Sequence, residues 1–251
     1  MTRMSWMVAV LAVAACDCES GPAPIPKSAP ILTESLAAAS PQMRTHMREH
    51  VDRADQLQAA IAQGRLADAR DLAAWFATHE MDRPPGWGPY LDEMRYAAHR
   101  IQKAPDVTAA GAALGRFGAS CAACHVATGA RPAFAYEPPP QDTSTIEAQM
   151  VRHEWAAARL WEGVVGPADA LWSEGARVMW TARFDLAKLA HEKPNADVAA
   201  LAEQLREQAA TAISLGDPAA RAQFYGEMMQ TCASCHSIVR PQAVVHLEQR
   251  E

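Results

Sequence analysis

Residues 43–61 read MRTHMREHVDRADQLQAAI, and residues 146–164 read IEAQMVRHEWAAARLWEGV. In the first stretch Met43, Met47, His50, Ala54, Leu57 and Ile61 recur at spacings of 4-3-4-3-4. In the second, Ile146, Met150, His153, Ala157, Leu160 and Val164 repeat that series at a constant offset of 103 residues, Met on Met and His on His. Alternating steps of three and four keep one stripe of an α-helix apolar, so each stretch predicts a helix that buries a seam against its neighbours. An Ala-rich, Gly-poor chain with few β-branched runs predicts that the rest is helical too.

Helix breakers divide the remainder. Gly64, Pro84-Pro85-Gly86 and the stretch from Lys103 to Asp106 cut the first segment into four helices. Gly166-Pro167, Lys193-Pro194-Asn195 and Gly216-Asp217-Pro218 do the same in the second. Four helices with short connections run antiparallel, which predicts an all-α chain of two tandem up-down-up-down four-helix bundles. The bundles are expected at 41–136 and 143–241, joined by the Pro-rich linker 137–142 and followed by a tail, 242–251.

Each segment closes on a short motif: Cys121-Ala122-Ala123-Cys124-His125 and Cys232-Ala233-Ser234-Cys235-His236. Cys-x-x-Cys-His is the attachment sequence for c-type haem: two thiols add across the vinyl groups, and the adjacent histidine is placed to ligate iron. A thioredoxin-like dithiol would precede a helix in a βαβ pattern, of which the sequence has no sign. Zinc could take four thiolates, but it leaves unexplained the histidine that follows both pairs. Two covalent haems are therefore expected, with Cys121, Cys124, Cys232 and Cys235 as attachment points and His125 and His236 as proximal iron ligands. The motifs lie 111 residues apart, so the second segment has eight more residues between its first helix and its motif, expected in helices two and three or their turns.

A haem motif in the last helix of a four-helix segment resembles the c-type cytochromes of the cytochrome c-prime class, including their low-spin Met-ligated relatives. Ordinary class I cytochromes c carry it near the N-terminus. The resemblance implies a haem attached to helix four and faced by a residue of helix one, which either ligates the iron or covers an open site. In an antiparallel bundle the start of helix one and the end of helix four share an end. That puts His50 and His153, or Met47 and Met150, at the right depth for the distal position. A methionine on an apolar stripe is ordinary core filler, whereas a buried histidine needs partners for its ring nitrogens. Recurrence of histidine at one phase in both segments therefore ranks His50 and His153 ahead of Met47 and Met150. Three states stay open: His/His, His/Met and five-coordinate iron.

The other histidines, His46, His79, His99 and His191, have no counterpart in the other segment and read as solvated or capping residues, and His246 lies in the tail. Trp75, Trp87, Trp155, Trp161, Trp172 and Trp180 read as core or haem-packing residues. Arg131 and Arg240, just past the motifs, could pair with haem propionates, although arginine near a helix C-terminus is already favoured by the dipole.

At the N-terminus, Arg3 precedes about ten apolar residues, too few to span a bilayer and suited to a secretory signal. The run ends Val13-Ala14-Ala15-Cys16, which resembles a bacterial lipobox and implies cleavage of a signal peptide, 1–15, with lipidation of Cys16. Asp17 resembles the signal for retention at the inner membrane in some Gram-negative bacteria. Simple cleavage to a soluble periplasmic protein is the alternative. Residues 16–40, with Pro22, Pro24, Pro26 and Pro30, read as an extended tether.

A net charge of −6 leaves no basic footprint for nucleic acid. Phosphate loops, nucleophile elbows and His-Glu-x-x-His are absent from the sequence, so cofactor chemistry has to carry the function. The expected role is electron transfer outside the cytoplasmic membrane, between redox proteins in or near it, in respiration or photosynthesis. The alternative is a haem protein that binds nitric oxide or carbon monoxide at five-coordinate iron. Dihaem peroxidases are built from class I domains, and the motif placement argues against one.

Overall fold

The computed structural model describes residues 41–80, 84–142, 145–182 and 196–239. The expected signal peptide, Cys16, the tether and the tail lie outside the described residues, as do Arg240, His191 and His246. Among the described residues the chain is all-helical: α1 (Pro41–Ala62), α2 (Leu66–Thr78), α3 (Gly88–Gln102), α4 (Val107–Thr128), α5 (Ile146–Val165), α6 (Asp169–Thr181), α7 (Ala196–Ala212) and α8 (Pro218–Val239).

Local chemistry sets the helix ends. The Asp106 carboxylate accepts from the Ala109 amide at 2.7 Å, the Thr145 hydroxyl from Ala148 at 3.2 Å, and the Asp217 carboxylate from Ala220 at 2.8 Å. Each satisfies one of the donors that a helix N-terminus leaves open, here for α4, α5 and α8. At the other end, α4 stops at Gly129 in the left-handed region, φ 69°, a conformation that glycine adopts without penalty.

The repeat in the sequence is a repeat in structure. The end of α1 and both bounds of α2 recur in α5 and α6 at the offset of 103, and α5 begins two residues later in the repeat than α1. The eight extra residues of the second segment fall between the end of α6 and the start of α8, in the region expected.

Consecutive helices pack on one another within each segment, yet among the described residues the broadest contact joins α4 to α8 across the two segments. Both α1 and α5 touch α4 and α8, so these four helices form the centre, flanked by α2–α3 and α6–α7. Main chains approach closely at the α4–α8 crossing. A Cβ on Gly115 would lie 2.6 Å from the Ala222 carbonyl oxygen, and one on Gly226 would lie 2.9 Å from that of Gly111.

One apolar core runs through both segments. It includes Leu57, Ile61, Phe76, Leu114 and Phe117 from the first, and Leu160, Trp161, Trp172, Tyr225 and Met228 from the second. Removing such a side chain from water contributes on the order of 2 kcal/mol. The helical stripe read from the sequence is this core's seam: Ala54, Leu57 and Ile61 of α1, and His153, Ala157, Leu160 and Val164 of α5, are buried. Trp161 and Trp172 are core residues, whereas Trp180, read as core or haem-packing, is 42% exposed and outside the core.

The linker 137–142 lies along α5. Arg152 donates to the Pro140 carbonyl at 2.5 Å, and the Trp155 indole donates to that of Glu137 at 3.2 Å. No helix among the described residues is long and apolar enough to cross a membrane.

Candidate functional site

Cys121, Cys124 and His125 occupy the last turns of α4, and Cys232, Cys235 and His236 the last turns of α8. Three-residue spacing places the two thiols of each pair on one side of the helix. Burial pushes the Cys121 and Cys232 thiols up to about 12 and Cys124 to about 11, and raises Cys235 as well. A redox dithiol depends on a lowered thiol pKa, so these pairs are unlike one.

Each motif histidine is held by a backbone carbonyl. His125 Nδ1 lies 2.5 Å from the Val165 oxygen, and His236 Nδ1 lies 2.6 Å from that of Ala62. A carbonyl only accepts, so Nδ1 must carry the proton, and Nε2 is then the nitrogen with a lone pair for a metal. Val165 and Ala62 are the last residues of α5 and α1, the same position in the repeat. Each histidine is therefore fixed by the first helix of the opposite segment.

His153 on α5 is 6% exposed. Burial first, then the nearby His236 and Arg152, push it down to about 3, so its ring is neutral at physiological pH. The site on α8 thus brings a buried neutral imidazole into electrostatic range of the motif histidine. His50 on α1 has different surroundings. Its ring lies against Trp75, Phe76, His46 and His79, at centroid distances of 5.1, 5.5, 4.5 and 5.8 Å. Burial, then His46, His79 and Arg53, push it down to about 3, and its buried Nε2 has no hydrogen-bond partner. Met47 and Met150 are partly buried on α1 and α5, and Arg131 is exposed beyond α4.

His46 and His79, read from the sequence as solvated or capping, sit beside His50. His79 does terminate α2 as its C-cap residue, but its ring also stacks on Trp75 at 3.9 Å and on His46 at 5.2 Å. The i, i+4 spacing of His46 and His50 was a visible sign that the two rings share a helix face. Nothing local in the sequence marked His79.

The residues fit a covalently held haem on three counts: paired thiols on one helix face, a histidine with Nδ1 engaged, and a buried imidazole near one of those histidines. Comparison with protein-family models, with curated proteins and with solved structures gave no match.

Proposed function

We propose that the chain is a dihaem c-type cytochrome that transfers electrons between redox proteins outside the cytoplasmic membrane, held there by a lipid on Cys16. Cys121 and Cys124 would hold one haem, with His125 as proximal ligand; Cys232 and Cys235 would hold the other, with His236. Each haem would sit on the last helix of a four-helix unit. A haem so bound supplies one-electron redox chemistry. The protein's part is to fix ligand orientation, exclude water and set the local charge.

The observation that carries this reading is the duplicated histidine–carbonyl pair, at 2.5 and 2.6 Å, on two helices that end in the same attachment sequence. An engaged Nδ1 fixes the tautomer and raises the basicity of the ligating nitrogen, as in other metal-bound histidines. For the α8 haem, the burial of His153 on the seam of α5, against the partial exposure of Met150, supports His/His ligation ahead of Met150. A saturated iron of that kind moves electrons with little ligand rearrangement.

A second reading, gas binding at the first haem, is favoured by one observation. The His50 ring packs against His46 and His79, at centroid distances of 4.5 and 5.8 Å. If neither His50 nor Met47 reaches that iron, its sixth position is open. Carbon monoxide added to the reduced protein separates the two: an unchanged low-spin spectrum fits a carrier with two saturated irons, and a shift in half the haem absorbance fits a gas-binding first site.

A further inference from the structure

We infer that His46, His50 and His79 form a second kind of metal site, a three-imidazole site for a divalent transition ion of the zinc type. The inference goes beyond the haem reading and does not depend on it. One ligand nitrogen from each of the three rings lies within 4.8 Å of the other two. Ligand nitrogens around a four-coordinate zinc sit about 2.0–2.1 Å from the ion, so small side-chain rotations would close the site. Three histidines would leave the fourth position to water or an added ligand.

The scaffold is already assembled. His46 and His50 are one turn apart on α1, and the turn around Gly64, φ 69°, folds α2 back so that His79 arrives from its end. Trp75 stacks on His79 at 3.9 Å and meets His50 edge-on at 5.1 Å, which restrains two of the three rings. Two guanidinium groups oppose a cation here: Arg53, 4.3 Å over Trp75 with its charge partly offset by Glu49 at 3.2 Å, and Arg95, which donates to the His79 backbone carbonyl at 2.8 Å.

The repeat itself supplies the comparison. At the offset of 103, His50 corresponds to His153, but His46 corresponds to Gln149 and His79 to Ala182. The shared histidine is the distal haem candidate in both segments, while the two extra imidazoles occur only in the first. An ion in the site would take His50 and leave Met47 as the remaining distal candidate for the first haem.

The test uses the full-length matured protein, treated with chelator and titrated with Zn2+ in a calorimeter, with bound zinc measured independently. One equivalent per chain is expected. His46→Gln and His79→Ala install the second segment's own residues and should preserve the helices, checked by circular dichroism. Each is expected to weaken zinc binding by more than about 100-fold, since even loss of an outer-shell partner costs 10–100-fold. A His99→Ala control should bind as the parent does. Absence of a stoichiometric site, or parent-like affinity in whichever of the two variants folds, would overturn the inference.

Discussion

The Nδ1 atom of His125 meets the carbonyl oxygen of Val165 at 2.5 Å, although the two residues belong to different segments of the repeat. Its counterpart, His236 to Ala62, closes at 2.6 Å in the opposite sense. Each motif-bearing helix thus depends on the other segment for the group that orients its histidine, and the depth of the α4–α8 contact follows the same logic. The two halves are covalently tandem but packed as an interlocked pair.

Interlocking makes unfolding joint. Gly115→Val would place a branched side chain where even a Cβ stands 2.6 Å from the Ala222 oxygen. Overpacking of this kind is expected to cost about 3 kcal/mol. In urea titrations followed by absorbance, the two haem environments should be lost in one transition, shifted together in the variant. Separate transitions for the two segments would contradict the interlocked core.

Distal ligation is open to substitution. His153→Ala is expected to abolish the low-temperature electron-spin-resonance signal of one low-spin haem, while Met150→Leu keeps it. At the first haem, the comparison of His50→Ala with Met47→Leu decides which side chain, if either, reaches the iron. Retention of every low-spin signal in His153→Ala would remove histidine from the second site.

Glu162 supplies a pH dependence. Burial, partly opposed by Arg159 at 2.7 Å, raises its carboxyl from 4.5 to about 7. The folded state then holds a proton that the unfolded state has released between those values. Stability from this group is therefore fully present below about pH 4.5 and is lost as pH rises through about 7. Discounted for partial solvent exposure, the loss is about 1–2 kcal/mol. Glu162→Gln should flatten the urea midpoint across that window; a slope identical to the parent's would assign the dependence elsewhere.

Much of the architecture was legible in the sequence because helical periodicity and breakers are local. Met43 to Ile61 announced its own buried face, and Gly64, Gly166 and Pro218 lie at helix boundaries. The approach of α4 to α8 was not legible. Gly111, Gly115 and Gly226 are only small residues until both helices are placed, and a repeat invites the reading of two separate units. The cluster around His50 was legible only in part: His46 shares its helix face at visible i, i+4 spacing, whereas the neighbours of His79 depend on how α2 folds back.

The most direct measurement is the intact mass of the protein matured in a c-type-haem-competent periplasm, combined with a pyridine haemochrome count. Two haems per chain are expected, reduced to one by Cys121→Ala/Cys124→Ala and to the other one by Cys232→Ala/Cys235→Ala. A chain that folds with no added porphyrin mass, or with only one haem, would contradict the central claim.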